Sequence, residues 1–170
     1  MEKFKEFDIK DFQEKIFTLI KDKWMLITAG KEEDCNTMTA SWGGFGILWN
    51  KPVAFIFIRP QRYTLNFIDR EQELTLSFFP DEYHQALSYC GAHSGKDEEK
   101  IKNAHLNMEF TPSCNPTFKE AKLVIECKKL YKQPMDPKAF LDTSLIDKWY
   151  PERDYHNMFV VEIEKIWVKE

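Results

Sequence analysis

The 170-residue chain lacks any long hydrophobic run. Its longest mainly apolar stretch, Val53 to Ile58, falls far short of the ~20 residues needed to span a bilayer. The opening residues Met1-Glu2-Lys3-Phe4-Lys5 hold no apolar leader, so no signal peptide is read there and a cytoplasmic protein without membrane contact is expected. Cys-x-x-Cys is missing too, and Cys35, Cys90, Cys114 and Cys127 are expected as reduced thiols. Cys90, His93, His105 and Cys114 make a zinc set only on paper, because their spacing follows no recognised ligand pattern; no metal is expected. The chain has no G-x-G-x-x-G: Gly43-Gly44-Phe45-Gly46 departs from it, and no βαβ unit surrounds that segment. A P-loop and G-x-S-x-G are likewise absent. A nicotinamide cofactor would therefore have to bind transiently, by stacking on another group. Nor is there an excess of basic charge. Lys and Arg number 24 against 28 Asp and Glu, a net charge of −4. The lysines lie scattered beside acids, as on a solvated face, so no nucleic-acid partner is expected and any anion site must be local.

What is abundant is aromatic surface, at 15% of residues with 14 Phe and 5 Trp. Such side chains fill cores and also offer flat walls to ring-shaped ligands. The length fits one domain, residues 1–170, and no repeat, low-complexity tract or linker interrupts it. Phe12, Ile16, Leu19 and Ile20 share one helical face, with Asp8 or Asp11 as cap. Strands are expected at Trp24–Ala29, Asn36–Trp42, Val53–Arg59, Leu74–Phe79, Ala121–Leu130 and Phe159–Val168, with a short extended piece at Met108–Pro112. Gly30 to Asp34 reads as a turn, and Gly43 to Gly46 as a break in regular structure. Short helices are expected at Tyr63–Asp69, at Tyr83–Cys90 with Gly91 as its stop, and at Asp97–Ala104. Pro134 to Pro151 reads as a loop with one helical turn. Short helices that do not alternate strictly with strands argue against a doubly wound sheet. They favour a mainly β barrel with short peripheral helices.

Three segments carry candidate chemistry. In Arg59-Pro60-Gln61-Arg62-Tyr63-Thr64, two guanidinium groups, hydroxyl donors and a helix start meet within six residues, which is what a phosphate requires; surface ion pairs are the competing reading. Asn36-Thr37-Met38-Thr39-Ala40-Ser41-Trp42 offers small polar groups at a strand end, suited to the polar edge of an isoalloxazine ring; a water-exposed polar face is the alternative. In Cys90 to Asp97, Ser94 and Gly95 permit close backbone approach, and Lys96 could bring positive charge near a reduced flavin; an ordinary linker competes. His156 is a further candidate, as proton donor or substrate contact.

Together, "NTMTASWGGFGILWNKPVAFIFIRPQRYT" from Asn36 to Thr64, "LSFFP" from Leu76 to Pro80 and "CGAHSGKDEEKI" from Cys90 to Ile101 resemble the flavin reductase-like family with the FMN-binding split-barrel fold, including its flavoredoxin-type branch. The resemblance runs from about Lys23 to the C-terminus. It implies FMN as cofactor, with Asn36, Thr37, Met38, Thr39, Ala40, Ser41 and Trp42 along the ring and ribityl chain. Arg59, Arg62, Tyr63 and Thr64 become a phosphate clamp, and Ser94, Gly95 and Lys96 a loop reaching toward the ring. It further implies a homodimer with flavin near the subunit interface. Two activities follow: an NAD(P)H-dependent flavin or small-molecule reductase passing electrons through FMN, with NADH or NADPH as transient donor, or a non-enzymatic electron-transfer protein serving protein partners. The segment Pro134 to Tyr155 departs from the family pattern. Trp149, Tyr150 and Tyr155, with His156 beside them, are the expected substrate wall.

Overall fold

The structure is a computed structural model that describes Met1 and residues 3–170. In chain order the strands are β1 (Phe4–Phe7), β2 (Met25–Lys31), β3 (Asp34–Ala40), β4 (Gly43–Leu48), β5 (Lys51–Ile58), β6 (Glu73–Phe78), β7 (Met108–Phe110), β8 (Pro116–Phe118), β9 (Leu123–Pro134) and β10 (Asn157–Lys169). The helices are α1 (Ile16–Thr18, continuing as a π turn over Leu19–Lys23), α2 (Thr64–Arg70), α3 (His84–Ala92), α4 (Lys100–Asn103) and α5 (Ser144–Trp149). None among the described residues is long and apolar enough to cross a membrane.

Eight strands form one antiparallel sheet in the order β3-β2-β6-β9-β10-β5-β4, with β1 added beside β10. Strand β10 holds β9 along one edge. Along the other it holds first β5, through Asn157 to Glu162, and then β1, through Ile166 to Lys169. This change of partner, with register shifts between Val160 and Val161 and between Ile163 and Lys165, lets the sheet curl. Side chains alternate across it. Met25, Ile27, Leu76, Ile125, Ile56, Phe159 and Val161 enclose one core. Leu26, Val124 and Trp167 face outward into a second core, closed by Leu87 and Cys90 of α3, Leu106 and Phe118. The result is the mainly β barrel with short peripheral helices read from the sequence.

Several local expectations differ. Phe12 to Ile20 is not one helix: a 3-10 turn at Ile9–Asp11, capped by Asp8, precedes α1, and Phe12 packs on the core from the extended link between them. Gly43 to Gly46 is not a break but the start of β4. Gly43 has φ +149, and a Cβ there would lie 2.6 Å from the Phe55 carbonyl oxygen, so glycine permits the close pairing with β5 instead of ending it. Trp49 and Asn50, both with positive φ, make the two-residue hairpin turn that follows. Gly91 lies inside α3 and does not stop it. The helix expected at Asp97–Ala104 shortens to α4, whereas β9 and β10 run beyond their expected ends.

A buried carboxylate ties the outer layer to the barrel. Glu126 of β9 accepts hydrogen bonds from Thr111 Oγ1 (2.9 Å), Asn115 Nδ2 (2.6 Å) and Trp167 Nε1 (2.6 Å). Thr111 and Asn115 belong to the β7–β8 hairpin, so one acceptor group joins that hairpin, β9 and β10. Glu126→Leu would strand these donors, at about 1–3 kcal/mol for each left buried and unpaired. With partial relaxation we expect a loss of about 3 kcal/mol, read as a lower urea midpoint at unchanged m-value.

Candidate functional site

The register of β5 and β10 brings the site together. Asn157 pairs with Ile58, so the residues just beyond that pair, Arg59 and His156, emerge at the same end of the sheet. Pro60 ends β5, having no N–H to donate to a ladder. The chain then turns, with Arg62 N–H donating to the Arg59 carbonyl at 3.1 Å, and enters α2 at Thr64. Strand β3 lies close to α2: Asn36 Nδ2 donates to Thr64 Oγ1 at 2.9 Å.

Two hollows share Met38, Arg59 and Arg62 and form one cleft. The first, about 210 Å³, is lined by the end of β3 through Trp42, with Phe57, Trp149 and His156 opposite. Trp42 and Trp149 meet edge to face at 5.1 Å over it. The second, about 340 Å³, is lined by Gln61, Tyr63, Thr64, Ala92, His93, Ser94 and Lys100 as well as the shared residues. A larger hollow of about 760 Å³ lies beyond Asn36, Gly95 and Lys100; Glu33, Glu98 and Glu99 on its wall make it less suited to an anion.

The charges in the cleft are unequal. Arg59 is committed: it pairs with Asp154, donates to the Trp149 carbonyl at 2.8 Å and lies over the Tyr150 ring at 5.2 Å. Hydrogen bonds from Gln61 and Arg59 hold the Asp154 carboxyl below its ordinary range. Arg62 has no carboxylate partner among the described residues. One of its nitrogens donates to the Gly91 carbonyl at 2.6 Å, and burial, then the neighbouring Arg59, pull its pKa down. Lys100 is only 4% exposed. It donates to the carbonyls of Cys90 (3.3 Å) and His93 (3.2 Å), and burial lowers its pKa as well. No carboxylate lines the second hollow, so Arg62 and Lys100 leave it electropositive and ready for an anion.

The residues expected from the sequence divide into groups. Met38, Thr39, Ala40, Ser41, Trp42, Arg59, Arg62, Tyr63, Thr64, Ser94, Trp149 and His156 line the cleft. Thr37 does not: fully buried, it meets the Thr28 hydroxyl at 2.9 Å and donates to the Ile27 carbonyl. Asn36 and Gly95 form the wall toward the larger hollow, and a Cβ on Gly95 would overlap Asn36 Oδ1. Lys96 is exposed and lines neither part of the cleft. Tyr155 packs on Phe140 and Tyr150 behind it. Tyr150, expected in the substrate wall, instead lies behind the chamber against His156. Lys100, Phe57 and Asp154 carry no motif signal in the sequence. Lys100 sits in the charged run Lys96-Asp97-Glu98-Glu99-Lys100, which reads as solvated surface; at the start of α4 its ammonium instead turns inward onto the Cys90 and His93 carbonyls. Among the described residues, no three His, Cys, Asp or Glu side chains converge to hold a metal ion.

His156 is 7% exposed. Burial first, then the Arg59 and Arg62 charges, press its pKa from 6.5 to about 4, against the opposing effect of Asp154. It is therefore neutral near pH 7. Because the unfolded chain takes up this proton first, stability should fall as pH drops from about 6.5 through about 4. His156→Gln should show a shallower fall in stability over that window by urea unfolding. An unchanged slope would mean that His156 stays accessible to protons.

Residues 19–170 match the model of the flavin reductase like domain. No curated protein matches. Among solved structures, an FMN-binding domain of a flavin reductases-like enzyme from Shewanella baltica aligns with a TM-score of 0.70 at 16% identity, covering 98% of this chain and 77% of that one. Flavoredoxin from Methanosarcina acetivorans aligns at 0.68 and 19%, covering 87% and 69%. An FMN-binding protein from Thermus thermophilus aligns at 0.68 and 18%, covering 98% and 82%. Likenesses at such identities speak to the fold, a split barrel, as in a flavin reductase-like neighbour from Shewanella frigidimarina. The family match spans nearly the whole chain, and the protein belongs to the flavin reductase like domain family.

Proposed function

We propose that the cleft binds FMN and that the protein is an FMN-dependent oxidoreductase, reducing a flavin or another small molecule at the expense of NADH or NADPH. The observation that carries the reading is the second hollow. Its charged lining is cationic, it holds the hydroxyls of Thr64 and Ser94, and it opens into an aromatic chamber through Met38, Arg59 and Arg62. A phosphate at one end and a flat ring at the other fit that division. Gly95 supports the fit, because its lack of a side chain keeps Asn36 bonded to Thr64 at the wall. The names of neighbours with this fold, which include FMN-binding proteins, support the choice of flavin.

When bound, FMN supplies the electron-accepting chemistry. The remaining work belongs to the chain. Arg62 and Lys100 neutralise the phosphate, with Thr64 and Ser94 as hydroxyl donors. Trp42, Phe57 and Trp149 exclude water around the ring. His156 stays uncharged and offers one hydrogen bond. Asp154 holds Arg59 against α5, so that one cation builds the wall while the other two face the ligand. With no nicotinamide-binding motif in the sequence, NADH or NADPH would stack transiently on the flavin, beside the Trp42–Trp149 contact and not through it. A homodimer is part of the same proposal. Ile47, 72% exposed, and Trp49, 57% exposed, extend an apolar surface along β4 from Trp42 that a second copy would cover.

Arg62→Ala and Lys100→Met should each weaken FMN binding at least tenfold, or about 1.4 kcal/mol, in fluorescence titrations. The circular dichroism spectrum should not change. Wild-type affinity in both variants would place the phosphate elsewhere. Anaerobic stopped flow then tests the enzyme. The FMN-loaded protein should be bleached by NADH or NADPH faster than free FMN is. If neither donor does so, the protein is an electron carrier fed by a protein partner.

A further inference from the structure

Behind the chamber, the segment between β9 and β10 supplies a residue in contact with His156. Tyr150 follows α5 and is 4% exposed. Its hydroxyl lies 2.8 Å from His156 Nδ1 and 3.6 Å from Met135 Sδ. The hydroxyl has one proton and two candidate acceptors. A thioether is a weak acceptor and an imidazole nitrogen a strong one, so the shorter contact takes the proton. The ring nitrogen that accepts it carries none of its own, and in a neutral imidazole the hydrogen then sits on Nε2. Nε2 makes no hydrogen bond among the described residues, and His156 lines the chamber, its ring 5.4 Å from that of Trp42.

The Tyr150 ring has little freedom. Arg59 lies over it, and Phe140 packs against it at 5.9 Å. Arg59 is itself held by Asp154. The hydroxyl is thus presented to His156 by packing on several sides.

The geometry points to Tyr150 as a positioning residue that holds His156 as an Nε2–H donor into the aromatic chamber, which thereby selects flat rings bearing a carbonyl or imine-type acceptor at that point. The acceptor belongs either to the flavin ring or to a second ring presented to it. Only the flavin alternative rests on the function proposed above; the Tyr150–His156 geometry does not.

The test begins with flavin-free protein labelled with ¹⁵N-histidine, with the His156 signals assigned by their loss in His156→Gln. At pH 7 the wild type should show a protonated Nε2 and an unprotonated Nδ1. Tyr150→Phe, which keeps the ring under Arg59, should populate both tautomers. A wild-type ring protonated on Nδ1, or a tautomer unmoved by Tyr150→Phe, overturns the proposal; a residue that merely filled space would leave the tautomer unmoved. FMN is then added, and p-hydroxybenzaldehyde is added separately to flavin-free and FMN-loaded protein. A shift of His156 Nε2 with FMN assigns the acceptor to the flavin, and Tyr150→Phe should then weaken FMN about threefold. A shift only with the aldehyde assigns it to a second ring. No Nε2 shift with either compound overturns the selection. Failure of FMN to shift any signal would refute the proposed cofactor while leaving the tautomer and aldehyde results to decide this inference.

Discussion

Antiparallel pairing between β5 and β10 is the constraint on which the rest of the cleft depends. Asn157 opposite Ile58 makes Arg59 and His156 neighbours although 97 positions separate them in the chain. A slip of one residue would turn every side chain of β10 to the other face, losing Phe159 and Val161 from the core together with the site. The hydrophobic alternation that stabilises the barrel therefore also sets the geometry of the cleft. The ion pair of Arg59 with Asp154 completes this arrangement by fastening the end of the α5 segment over the same edge.

The charges are distributed at some cost. Lys100 is buried and Arg62 half-buried, neither with a carboxylate partner among the described residues, and burial lowers the pKa of both. Main-chain carbonyls of Cys90, Gly91 and His93 take some of their hydrogen bonds but do not cancel their charge. An ion pair would have been the ordinary solution for stability alone. Leaving these cations uncompensated makes physical sense if an anion completes the site, because that ligand stabilises the folded state by mass action. Glu126 shows the opposite arrangement, a buried acceptor fully supplied by neutral donors and serving architecture.

Much of the barrel is legible in the sequence because period-two alternation in β10 and the apolar run of β5 report burial directly. The elements that were missed follow from tertiary effects. β4 looks like a glycine break, yet Gly43 permits close approach to β5. β1 is only four residues long, too short for a periodic signal, and is ordered by pairing with the far end of β10. In the cleft, Arg59, Arg62 and Thr64 could be found because they are adjacent in sequence. Their division of labour could not, since it depends on Asp154, some ninety residues away. Lys100 was hidden among charges that do reach solvent, whereas Lys96, the lysine chosen from the motif, points outward. Thr37 was grouped with its neighbours, but strand alternation turns its hydroxyl toward Thr28.

The central claim is that the uncompensated cations recognise the phosphate of a flavin. Comparing FMN with riboflavin, which carries the same ring and ribityl chain without phosphate, tests it most directly. Affinities measured by fluorescence titration at low and high salt should favour FMN by at least about tenfold, since charge-assisted contacts are worth roughly 1.5–3 kcal/mol each, with the advantage shrinking as salt screens it. Equal affinity for the two flavins at low salt would contradict the account.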